Sequence, residues 1–132
     1  MSLRRRVPAG KPWADMLGYS RAVRAGGMIW VSATAPVDRE GRLVGDDPGD
    51  QARRCFEIIG EALDALGASL GDVVRTRVYL RSFADLEPVA RAHREAFPVD
   101  PPASSVVAVA DLVLPGMKVY IEAEACLAED VR

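Results

Sequence analysis

Between Ala52 and Leu66, the apolar side chains of Ala52, Phe56, Ile59, Leu63 and Leu66 recur at three- and four-residue spacing. That stripe marks one face of a helix, which needs an apolar surface to lie on. The segment after it, Val73 to Leu80, changes to period two: Val74, Thr76, Val78 and Leu80 fall on one side, and Val73, Arg75, Arg77 and Tyr79 on the other. A helix followed directly by a strand narrows the choice to folds that lay helices on a sheet. Asp47 or Asp50 can cap the helix start, Pro48 is tolerated in its first turn, and Gly67 stands where a helix C-cap glycine would. Gly60 in its interior costs about 1 kcal/mol relative to alanine, unless close packing requires it.

The flanking segments extend the pattern. Residues 1–16 read as an irregular lead-in. Tyr19 to Ala25 alternates loosely, and Gly26-Gly27 fits a two-residue hairpin turn into the strand Met28-Ile29-Trp30-Val31-Ser32-Ala33. Residues 36–50 form a loop with a brief extended piece at Arg42-Leu43-Val44. A second helix is expected from Leu86 to Phe97, capped by Asp85 or Ser82 and stopped by Pro98, Pro101 and Pro102. Strands at about 105–110 and 117–126, joined through Leu114-Pro115-Gly116, complete the chain. The order is strand, strand, helix, strand, helix, strand, strand, which predicts an α+β fold: a two-layer mixed sheet with two helices on one face. Two helices cover one face only, yet apolar residues alternate onto both, as with Met28/Trp30 against Ile29/Val31. The uncovered face calls for a partner, and a homo-oligomer is expected.

Composition bounds the function. A chain of 132 residues and 14.2 kDa, 49% hydrophobic and 27% charged, suits one globular core. The formal charge of −2 gives no general attraction for nucleic acid, and Arg4-Arg5-Arg6 reads as a solvated terminus. No segment has the pattern of a signal peptide or a membrane span, so a cytoplasmic protein is expected. Cys55 and Cys126 lie far apart and read as reduced thiols. A single histidine, His93, without a Cys/His/Asp cluster argues against a metal site, and it reads as a packing residue. There is no phosphate-binding glycine loop and no nucleophile elbow.

Several stretches occur in a particular order and spacing: Gly18-Tyr19-Ser20-Arg21-Ala22-Val23, Ile29-Trp30-Val31-Ser32-Ala33, Ala62-Leu63-Asp64-Ala65-Leu66-Gly67, Val73 to Leu80, and Pro101-Pro102-Ala103-Ser104-Ser105-Val106 followed by Val119-Tyr120-Ile121-Glu122-Ala123-Glu124. Together they resemble the Rid superfamily (YjgF/YER057c/UK114, endoribonuclease L-PSP) over roughly residues 17–128. These would form a single domain between the lead-in and a tail at 129–132. The resemblance implies a chorismate-mutase-like fold, a homotrimer with a central barrel, clefts between subunits that take a small molecule, and no cofactor.

In the imine-deaminating relatives, an arginine in a P-A-R-S context grips the substrate carboxylate, a glutamate in the last strand orders the attacking water, and a tyrosine lines the cleft. Carried onto this chain, the glutamate is Glu122 and the tyrosine is Tyr19, with Gly18 one residue closer to it than in the family pattern. Ser104 stands at the arginine position, Ser105 and Val106 follow it in the cleft segment, and Ala33 stands where a glycine usually follows the V-S pair. A hydroxyl supplies neither the charge nor the paired donors of a guanidinium, so an anionic substrate loses its clamp. Arg75, Arg77 and Arg91 are the arginines that could replace it. A carboxylate beside an apolar cleft still suits general acid–base work. The resemblance therefore implies a hydrolase or deaminase acting on a small enamine, imine or carbonyl compound. A non-catalytic small-molecule-binding or regulatory trimer is the alternative. The family's endoribonuclease label finds no support in an acidic chain lacking a basic face with interleaved aromatics.

Overall fold

The structure, a computed structural model, describes residues 4–127; the expected tail at 129–132 lies outside them. The α-helices and β-strands among them follow in chain order: β1 (Arg4–Pro8), α1 (Pro12–Leu17), β2 (Ser20–Ala25), β3 (Met28–Thr34), α2 (Pro48–Ala65), β4 (Val73–Leu80), α3 (Leu86–Ala96), β5 (Ala103–Ala108) and β6 (Val119–Cys126). They build one six-stranded sheet in the order β1-β2-β3-β6-β4-β5. All pairings are antiparallel except β4–β5, which α3 connects as a crossover.

The α+β sheet and helix layer are as expected, but the central barrel is not. The sheet is open: β1 pairs only with β2, β5 pairs only with β4, and these two edges lie at opposite ends of the strand order. The lead-in also differs from its expectation, since residues 4–17 hold β1 and α1. β1 escaped notice because it is an edge strand with four of its five residues exposed. Backbone bonding to β2 holds it, and no alternating apolar face announces it.

Local chemistry explains the elements that were foreseen. Asp47 caps α2 by accepting from the Asp50 amide at 2.8 Å. At the other end Gly67 adopts φ +86°, with its N–H on Asp64 O and the Ala68 N–H on Leu63 O, a Schellman termination. Gly26 supplies the positive φ of the β2–β3 hairpin, where Ala25 pairs Met28. α2 sinks Ala52, Cys55, Phe56, Ile59 and Leu63 into the core. The sheet answers with Ile29, Val31, Val78, Leu80, Val119 and Ile121, all at most 2% exposed. A second, smaller cluster of Ala35, Val37 and Met117 receives Trp13 from α1 and Leu43 from the loop, where Val37 and Leu43 form an isolated bridge.

Two irregularities aim the other face. In β4, Val73 pairs Ala125 and Arg75 pairs Glu124, so Val74 is an extra residue. The bulge leaves Val74 47% exposed and puts Val73 in the core, opposite to the simple alternation. In β3, Val31 pairs Ala123 and Thr34 pairs Ile121, so Ser32 and Ala33 together face Glu122. Arg21, itself buried, satisfies the bulge by donating from Nη2 to Ser32 O at 2.9 Å and Ala33 O at 2.8 Å.

Candidate functional site

β6 alternates without a break. Val119, Ile121, Ala123 and Ala125 are buried under the helices, while Tyr120, Glu122 and Glu124 stand half-buried on the open face. The β4 register sets Tyr79 opposite Tyr120, Arg77 opposite Glu122 and Arg75 opposite Glu124. This places two tyrosines, two arginines and two carboxylates on adjacent strands.

Glu122 is the centre of that group. The Tyr79 hydroxyl donates a hydrogen bond to its Oε1. Its Oε2 lies 3.8 Å from Arg77 Nη1, which is also 3.4 Å from Glu124 Oε2. The bond to Glu122, followed by desolvation and the carboxylate's charge, pushes the Tyr79 phenol above its ordinary range. Burial, and then the nearby Tyr19, does the same to Tyr120. Arg75 turns toward β5 and donates from Nη2 to Ser105 Oγ at 2.8 Å, while its buried Nε has no partner.

At one end of this row a cleft of about 420 Å³ opens between Tyr79, Tyr120, Ala33 and the loop at Val109, Leu112 and Val113. Arg81 holds that loop through Asp111 at 3.0 Å. The cleft thus has a mostly hydrocarbon wall with phenols on one side, and Glu122 is reached through the Tyr79 hydroxyl. Such a setting can hold a small, planar, mostly apolar molecule against the two phenols, with Glu122 behind Tyr79.

The other expected site residues are divided between the two faces of the sheet. Ser105 shares the open face with Glu122, through Arg75. Ser104 and Val106 point the other way and line a groove of about 200 Å³ beneath α3, beside His93 and Val78. Tyr19 borders a third cavity, of about 460 Å³, with Arg6, Asp15 and Ser20. Of the three arginines considered as substitutes, Arg75 and Arg77 are on Glu122's face, whereas Arg91 lies on α3 and pairs with Glu87 at 2.6 Å. His93 is a packing residue with a polar edge: its ring meets Phe56 and Phe97, and its Nε2 is 2.8 Å from Thr76 Oγ1. Among the described residues no cluster of His, Cys, Asp and Glu could hold a metal, and no helix is long and apolar enough to cross a membrane.

The alternation of β6 already sets Tyr120 beside Glu122, but sequence reasoning missed Tyr79 as Glu122's partner and Arg21 as the support of the bulge. The alternation in β4 and β6 puts the tyrosines on the correct face, but only the register brings Tyr79 to Glu122.

An open mixed sheet with two covering helices defines a class of small α+β proteins. Residues 12–127 match the family model described as Endoribonuclease L-PSP. The chain belongs to this family, the Rid or YjgF/YER057c/UK114 superfamily. Rv2704 of Mycobacterium tuberculosis, a YjgF/YER057c/UK114 family member, is 38% identical; the match covers 93% of this chain and 98% of that one, with a TM-score of 0.85. Protein SCO2049 of Streptomyces coelicolor is 33% identical over 121 residues, 92% of this chain and 90% of its own length. The chloroplastic Reactive Intermediate Deaminase A of Arabidopsis thaliana is 33% identical over 92% of this chain and 65% of its own length.

Proposed function

We propose that this chain is a hydrolase or deaminase of the Rid type, acting on a small enamine, imine or carbonyl metabolite with Glu122 as the group that orders water. The observation that carries this reading is the Tyr79–Glu122 hydrogen bond at the edge of the Tyr79/Tyr120 cleft. Water adds to the C=N carbon while Glu122 takes its proton, the proton passes to nitrogen, and the carbinolamine collapses to a carbonyl and ammonia. The resemblance adds Tyr19, Ser104, Ser105 and Val106 as substrate contacts. Ser105 shares Glu122's face and Tyr19 lies near Tyr120, whereas Ser104 and Val106 line the α3 groove; that division fits clefts shared between subunits of a homotrimer. Trp30 and Val107, each 44% exposed, supply apolar area for such an assembly. Classical 2-iminopropionate deamination fits less well, because Ser104 offers no charge to a carboxylate.

The test generates 2-imino acids with an amino-acid oxidase, traps them with semicarbazide and follows how added protein suppresses trapping. Wild type is expected to suppress it on at least one apolar imine, and Glu122→Gln to lose about 100-fold or more. Equal rates for the two proteins would remove Glu122 from the chemistry.

One observation favours the alternative of a non-catalytic binding protein. Both Glu122 oxygens are already engaged, one by Tyr79 and the other facing Arg77. That reading predicts saturable ligand binding with no turnover.

A further inference from the structure

The residue that departs most from the family pattern, Ser104, is wired to the only histidine of the chain. Thr76 is fully buried and sits at the β4 position in register with Ser104. Its Oγ1 donates to Ser104 Oγ at 2.8 Å and lies 2.8 Å from His93 Nε2. Thr76 has one hydroxyl proton. With that proton given to Ser104, the Thr76 oxygen accepts from His93 as the Nε2–H tautomer, the arrangement on which the proposal below depends. In that arrangement Ser104 uses a lone pair on Thr76, and its own proton is left for an acceptor in the groove that it lines under α3.

The groove walls are hydrocarbon: Val78, Leu86, Val89, Ala90 and Val106. Its one cation, Arg94, is exposed and lies 3.9 Å from Glu87, whose other oxygen holds Arg91 at 2.6 Å. An anion there would meet a partly neutralised, hydrated charge, whereas a neutral acceptor would meet a fixed neutral donor. We propose that the His93–Thr76–Ser104 chain makes the α3 groove a binding site for a short apolar molecule bearing an uncharged carbonyl oxygen. Ser104 is the contacting donor, and Thr76 and His93 are positioning residues. This deepens the function proposed above and rests on it only in taking Ser104 as a ligand contact.

The test uses the full chain labelled with ¹⁵N, where a single histidine makes the imidazole signals unambiguous. Isobutyramide and its charged isostere isobutyrate are titrated at pH 7.5. The free protein is expected to show the Nε2–H tautomer. Isobutyramide should shift the ring signals saturably and bind at least about fivefold more tightly than isobutyrate, one neutral hydrogen bond being worth roughly that factor. Ser104→Ala should weaken isobutyramide about fivefold. Thr76→Val should weaken it and change the tautomer, and Thr76→Ser should restore both, which guards against a folding defect in the valine variant. An Nδ1–H tautomer, no saturable shift, unchanged affinity in Ser104→Ala, or tighter binding of isobutyrate would each overturn the proposal. Glu122 lies on the other face, so failure of imine hydrolysis and failure of groove binding are read separately.

Discussion

The two faces of the sheet are made from the same strands and behave as different materials. Under the helices, β6 presents Val119, Ile121, Ala123 and Ala125, β4 presents Val78 and Leu80, and β3 presents Ile29 and Val31. On the open face the intervening residues are Tyr120, Glu122 and Glu124, then Arg75, Arg77 and Tyr79, then Trp30. The covered face is uniform because burial rewards hydrocarbon and close packing at every position. The open face is heterogeneous because its charges stay half-hydrated and can pair across strands. A single strand can therefore carry stability and chemistry at once, one residue apart.

The sharpest way to break this division is a pair of neighbours in β6. Ile121→Ala, at a fully buried position, should cost about 2–5 kcal/mol in denaturant unfolding. Glu122→Gln should stay within about 1 kcal/mol, the range for a partly exposed polar group. Similar losses for both would mean that the open face contributes equally to the fold.

The two thiols sharpen the comparison. Cys55 lies on the covered side, fully buried, and desolvation pushes its thiol well above the ordinary range. Cys126 pairs across from Met28 at the end of β6 and is partly accessible. A thiol-specific reagent should label Cys126 first and leave Cys55 silent until the chain unfolds. Early labelling of Cys55 would show that the helix layer opens locally.

His93 tests the covered side by pH. Burial holds its imidazole below the ordinary value of 6.5, with no carboxylate to oppose the shift. The unfolded chain therefore takes up the proton first as pH falls. His93's contribution is complete above pH 6.5 and is lost between 6.5 and the lower folded value. Wild type should lose more stability from pH 7.5 to 5.5 than His93→Gln, measured by denaturant midpoints. The same loss in both proteins would place the ring in water.

The smallest effect is expected at Gly60. A Cβ there would meet only Leu70, at 3.7 Å, an ordinary contact. Gly60→Ala should raise stability by up to about 1 kcal/mol in thermal or denaturant unfolding. A decrease would show that α2 sits closer to the Leu70 turn.

How much of this was legible varied from one segment to the next. The α2 stripe, the Gly26-Gly27 hairpin and the β6 alternation are local patterns, and each was readable because side-chain period follows directly from backbone geometry. β1 was not, since an exposed edge strand has no apolar period to display. Val74 was assigned to the wrong face because a bulge inserts one residue without any mark in composition. The expected barrel failed because closure depends on which strands become edges, and no local pattern states that. Glu122 was found through the family resemblance, whereas its partner Tyr79 was not.

The amino-acid sequence by itself determined the element types from β2 onward, the covered face of α2 and β6, and the family, because hydrophobic period and turn chemistry act over a few neighbouring residues. Only the tertiary structure decided that Tyr79 reaches Glu122, that Arg21 holds the Ser32–Ala33 bulge, and that Ser104 joins Thr76 and His93 on the opposite face. Those contacts join residues distant in the chain. They depend on strand register, where a slip of one residue would exchange the two faces.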